Sequence, residues 1–125
     1  MVTISNVADR ILTENNYVVG DFGSLTNVEY LIDNAVDYIN LEAGVSIANL
    51  SGTEETKSLT ATAQEIVVVK LVSGLLLRAF KDKGPAVTVQ GLSVSMILTD
   101  PHYQVFTKLM NSAINRLRGR SFVTT

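Results

Sequence analysis

The plainest periodicity in the chain begins at Val28. Val28, Leu31, Ile32, Ala35, Val36, Ile39 and Ala43 recur at helical spacing, while Asp33, Asp37 and Asn40 fall mostly elsewhere around the same helix. The four residues Thr26-Asn27-Val28-Glu29 have the form of a capping box, in which hydroxyl and carboxylate satisfy each other's backbone amides. Gly44 suits a left-handed stop. A second capping box, Thr62-Ala63-Gln64-Glu65, opens a run that is apolar on nearly every side from Ile66 to Phe80. Such a helix belongs in the middle of a helical body, touched on several faces. Gly74 inside it costs about 1 kcal/mol relative to alanine and suits a close approach by a neighbour. Lys81-Asp82-Lys83 and Gly84-Pro85 end the element.

Two further helices flank this pair. Val7, Ala8, Ile11 and Leu12 make a narrow stripe between Ser5 and Glu14, broken at Asn15-Asn16. Asp100-Pro101 opens the last helix, with an N-cap followed by proline at the first helical position. Its predicted apolar face is Tyr103, Phe106, Leu109, Met110, Ala113, Ile114 and Leu117, with Gly119 as its stop and residues 120–125 as a short β-prone tail. Tyr17 to Leu25 reads as an ordered loop plugged by aromatics. Val45 to Leu59 reads as one long polar connection, long enough to have a role of its own. From Ala86 to Leu98 the pattern turns to alternation: Val87 and Val89, then Leu92, Val94 and Met96, with the phase slipping at Gly91. An isolated ribbon there would be marginal and would gain by joining a neighbour. The expectation is a mainly α, four-helix bundle in one domain over 1–125. It carries one long loop and a short extended β arm or hairpin near residues 86–98.

Composition narrows the function. The chain is 46% hydrophobic and 18% charged, too apolar for a disordered segment and sparsely charged for a free monomer. Charge is also split. Residues 1–65 hold ten acids against Arg10 and Lys57, and residues 66–125 hold eight bases against Asp82 and Asp100. An acidic side of one copy can therefore meet a basic side of the next. The alternative is that helices pack across the halves and neutralise them within one chain.

No cysteine is present, and His102 is the single histidine, which excludes thiol chemistry and sites needing two imidazoles. The first residues carry no basic region or long apolar core, so no secretory signal is read. The apolar run Ile66–Phe80, interrupted by Lys70 and Arg78, is shorter than the ~20 residues of a membrane span. A soluble intracellular product is expected. His102 reads as a rim histidine beside Asp100, and Asp33 and Asp37 as a solvated acidic face, two oxygen donors being a poor cation site. No nucleophile elbow or phosphate loop occurs. The expectation is a non-enzyme with no cofactor and no metal. Arg116, Arg118 and Arg120 sit where cations favour a helix C-terminus, and together with Lys108 they could equally contact phosphates or an acidic protein.

The order of these parts resembles the head–tail connector, or adaptor, proteins of tailed phages and related viruses. The matching pieces are Val28–Gly44, Ala63–Lys83, Val87–Ser95 with Gly91-Leu92-Ser93 inside it, and Pro101–Gly119. The first 25 residues depart from the pattern, their Tyr17–Leu25 loop being longer. The resemblance implies a ring subunit, commonly a dodecamer, between portal protein and tail or stopper protein. It implies a place in the virion neck after synthesis in the host cytoplasm, lining the channel close to DNA without sequence-specific contact. Arg116, Arg118, Arg120 and Phe122 are the residues expected to face a partner. Val87, Val89, Leu92 and Val94 are expected between subunits. The rival is a small dimeric helical regulator whose basic C-terminal end binds nucleic acid or an acidic partner.

Overall fold

The computed structural model describes residues 1–52, 57–83 and 94–123, the side chains of Lys83, Ser95 and residues 120–123 excepted. In chain order it contains strand β1 (Val2–Ser5), helix α1 (Val7–Glu14), a 3-10 turn (Val19–Phe22) and helix α2 (Leu25–Ala43). Strand β2 (Ser58–Ala61), helix α3 (Ala63–Lys83), helix α4 (Val94–Leu98), a 3-10 turn (Pro101–Tyr103) and helix α5 (Gln104–Val123) follow. The fold is mainly helical with a small two-stranded antiparallel sheet.

Helix α3 is the axis of the molecule. Val68, Val69, Val72, Leu75, Leu76, Leu77 and Ala79 are all buried along it, and α1, α2, α4 and α5 each pack against it. Its predicted capping box is present: Glu65 Oε1 accepts from the Thr62 amide at 2.8 Å, and Thr62 Oγ1 accepts from the Glu65 amide at 3.2 Å. Gly74 meets the carboxamide of Asn15, which follows α1. A Cβ there would stand 3.3 Å from Asn15 Oδ1. That carboxamide in turn donates to the Ile11 carbonyl at 2.8 Å, so the close approach is made by a helix-ending side chain.

Helix α1 buries the four residues of its predicted stripe. Helix α2 starts slightly earlier than its sequence signal. Ser24, not Thr26, is the N-cap, with Oγ accepting from the Asn27 amide at 3.3 Å. Glu29 is buried and is paired instead with Lys57 at 3.3 Å. Gly44 closes α2 in the left-handed region at φ 69°. Between α1 and α2 the aromatic plug is real: Phe22 is buried, with ring centroids of Tyr17 and Phe80 at 5.6 and 5.8 Å.

Four expectations are corrected. The connection after α2 ends in a strand: β2 pairs with β1 in the register Val2↔Ala61, Thr3↔Thr60, Ile4↔Leu59, Ser5↔Ser58. Leu59 and Ala61 anchor this ribbon to the core, which is why two strands suffice. Residues 94–98 are helical, not extended. Val94 and Ile97 are buried while Met96 is 46% exposed, so a helical period replaces the alternation that would have put Val94 and Met96 together. The helix is closed by Thr99 Oγ1 donating to the Met96 carbonyl at 3.0 Å and the Asp100 amide donating to that of Ile97 at 3.0 Å. Gly119 does not stop the last helix, which runs on to Val123 through what had read as a β-prone tail. Finally, Leu109 is 54% exposed, so it does not belong to the core face of α5.

Candidate assembly surface

Helices α2 and α5 each carry charge of a single sign. α2 holds Glu29, Asp33, Asp37 and Glu42 and no base. α5 holds Lys108, Arg116, Arg118 and Arg120 and no acid. The two helices pack against each other and both pack on α3, and where they meet at the end of α2 the charges are used internally. Arg118 Nε donates to the Glu42 carbonyl at 2.9 Å, and Nη2 donates to the same oxygen and lies 3.5 Å from the Glu42 carboxylate. That carbonyl belongs to the last turn of α2, whose oxygens have no partner within the helix. A guanidinium there satisfies the acceptor and meets the negative end of the helix dipole.

The polar side of α2 also holds the chain that follows it. Asn40 pairs with Ile47 as a strand would, donating to its carbonyl at 2.7 Å and accepting from its amide at 2.8 Å. Asp33 accepts from the Leu50 amide at 2.9 Å, and Asp37 from the Asn49 carboxamide at 3.4 Å. Asp33 is therefore a structural acceptor in place of the solvated acidic face expected for it, whereas Asp37 stays exposed. Burial pushes the Asp33 carboxyl above its ordinary range, opposed by its hydrogen bonds to Leu50 and Asn49 and by Lys57.

The face of each helix opposite the core carries large apolar side chains. On α2 these are Tyr30, 44% exposed, and Leu41, 79% exposed; on α5 they are Val105, 69% exposed, and Leu109. Met96 of α4 adds to the exposed apolar set. Exposed Lys108 and Arg116 flank the α5 residues. None of these apolar residues joins a stripe read from the sequence as an outer face. The signal was present: each is a large apolar residue set well round the helix from that helix's buried residues.

The expected partner residues thus separate. Arg116 faces solvent and Arg118 is engaged by Glu42. Arg120 and Phe122 fall on the last turns of α5, where side chains lie outside the described residues. Of the four residues expected between subunits, Val87, Val89 and Leu92 lie outside the described residues. Val94 is 5% exposed in its own chain's core and is not available to a neighbour in this arrangement.

His102 is exposed, its Nε2 3.9 Å from Asp82 Oδ2 and its ring edge-on to Tyr103. Tyr103 is buried and donates from its hydroxyl to Asp82 at 2.8 Å. Burial first, and then the Asp82 carboxylate, push its pKa up to about 12. Among the described residues no three histidine, aspartate or glutamate side chains gather as metal ligands, and no helix is long and apolar enough to cross a membrane. Comparison with protein-family models, with curated proteins and with solved structures gives no match.

Proposed function

We propose that this chain is a structural subunit whose work is assembly, and specifically a head–tail connector subunit that forms a ring between portal and tail of a tailed virus. The observation that carries the reading is the coincidence of exposed apolar side chains with single-sign charge on α2 and α5. A face of that kind is costly to leave in water and is suited to a partner of opposite sign. In this reading α1, α2, α3 and α5 form the four-helix body of each subunit. The basic C-terminal end of α5, beyond the stripe that holds Lys108, turns toward portal protein or the DNA channel, and the tail or stopper protein meets the other face. No residue is assigned a catalytic role.

Electron microscopy and light scattering of the protein mixed with portal rings test it. A stoichiometric ring added to the portal is expected. A chain that leaves portal rings unaltered would refute the connector assignment.

The absence of any carboxylate on α5 favours one rival, a small dimeric regulator that holds nucleic acid or an acidic protein by this helix. Retention on DNA that falls steeply with salt would support that rival, because each phosphate contact releases counterions. Salt-insensitive or absent retention would count against it.

A further inference from the structure

We infer that the partner of the α2 outer stripe is the α5 outer stripe of a second copy of this chain, the two helices running antiparallel. The inference rests on the ring-subunit reading above and names the faces that would build the ring.

Three observations converge on this pairing. The first is sign: α2 is wholly acidic among its charged residues and α5 wholly basic. Asp37, Lys108 and Arg116 are all exposed. The second is spacing. Tyr30, Asn34, Asp37 and Leu41 stand at i, i+4, i+7 and i+11 on α2. Val105, Leu109, Ser112 and Arg116 stand at the same intervals on α5. Each set makes a nearly straight seam of about 16 Å along its helix. The third is side-chain match in one direction only. Laid antiparallel, Leu41 meets Val105, the Asp37 carboxylate comes beside Leu109 and the neighbouring Lys108, and the Tyr30 ring meets the Arg116 guanidinium. These are an apolar pair, an ion pair and a cation over an aromatic face. Laid parallel, Leu41 would face Arg116 and Asp37 would face Ser112, and the charges would be wasted. The antiparallel direction also opposes the two helix dipoles favourably.

The two faces are different surfaces of one chain, so each copy offers one to each neighbour. Such a contact is heterologous and propagates until its rotation closes a ring. Arg118 and Glu42 have already found each other within the chain, and the exposed Asp37 is held only by one long 3.4 Å bond from Asn49, so Asp37, Lys108 and Arg116 are the charges offered to the neighbour.

Sedimentation velocity over a range of protein and salt concentrations tests the pairing. The wild-type chain is expected to gain mass with concentration and to lose it as salt is raised. Asp37→Lys alone and Lys108→Glu alone are each expected to weaken association at least tenfold. The two changes in one chain are expected to restore it, because the signs of that ion pair are then exchanged across the same seam. Asp9→Lys, on the exposed side of α1, is the control and should associate as wild type; an equal loss there would overturn the pairing in favour of diffuse charge. Circular dichroism verifies that every variant folds. Reversals that assemble like the wild type would overturn the choice of faces while leaving portal docking intact. A chain that stays monomeric at every concentration and salt would overturn the contact itself. A two-fold dimer that the reversals break but that never grows would uphold the contact and overturn the ring.

Discussion

Ser73 lies in the middle of α3 with no exposed surface, and its hydroxyl finds no partner among the described residues. A buried donor left unmade costs more than a made bond contributes, so Ser73→Ala is expected to raise stability by about 1 kcal/mol. Urea denaturation measures it, and a loss of stability would mean that the hydroxyl is satisfied after all. Asp33 is a different case, an acceptor that is needed but a charge that is not. Asp33→Asn keeps an oxygen for the Leu50 amide and removes the cost of burying a carboxylate, so stability at pH 7 should hold or rise. Asp33→Ala orphans that amide and should lower stability by about 1 to 2 kcal/mol. The folded carboxyl holds its proton more tightly than the unfolded one. Its contribution is therefore fully present below 3.8 and is lost as pH rises through the elevated folded value. The asparagine variant should lack that part of the pH profile. At the alkaline end, Tyr103 has a folded pKa of about 12 against an unfolded 10.0, so its contribution holds below 10.0 and fades as pH climbs through about 12. Absorbance titration should show one tyrosine ionising near 12, and Tyr103→Phe should remove that step. The role of Asp33 was not legible in the sequence because its partner lies 17 residues away, in a stretch with no periodicity to mark it.

At the scale of elements, local signals were readable and distant ones were not. The α3 capping box needs only Thr62 and Glu65, and both bonds are made. Ser24 and Thr26 are both competent caps, and the choice between them is decided by the Phe22 plug, whose carbonyl accepts from Asn27 at 2.7 Å. Helix α4 misled because five residues are too few to separate a period of two from a period near three and a half. The β1–β2 ribbon was missed because each strand is four residues long and its partner is remote. Asn40 does for residues 45–50 what a strand neighbour would do. Asn40→Ala removes both bonds to Ile47 and is expected to release this segment while α2 itself stays folded. Limited proteolysis should then cut within 45–50, and resistance equal to wild type would show that Ile47 packing alone holds it.

Across the whole molecule, the division of charge is partly resolved inside the chain. Glu14 meets Lys70 at 2.9 Å, Asp21 meets Lys81 at 3.4 Å and Glu42 meets Arg118 at 3.5 Å, each joining the acidic half to the basic half. Half-exposed pairs of this kind contribute at most about 1 kcal/mol each, so they bias the packing more than they hold it. The mainly helical class and the central position of α3 could be read from the sequence, because both follow from apolar periodicity. The outer stripes were legible only as exceptions, since a pattern search follows the residues that share a phase and passes over Tyr30, Leu41 and Val105, which do not. The ribbon also sets an order of events. Thr3 and Thr60, whose hydroxyls lie 2.9 Å apart, are separated by 57 residues of chain. Closing so long a loop has an entropic cost that a four-residue strand pair cannot repay alone. The ribbon should form only after the helices have condensed and should be the first part to open. Amide exchange at Ile4 and Leu59, which face each other across the ribbon, is then expected to run well ahead of exchange in α3, so the molecule unravels from its beginning while its centre is still closed.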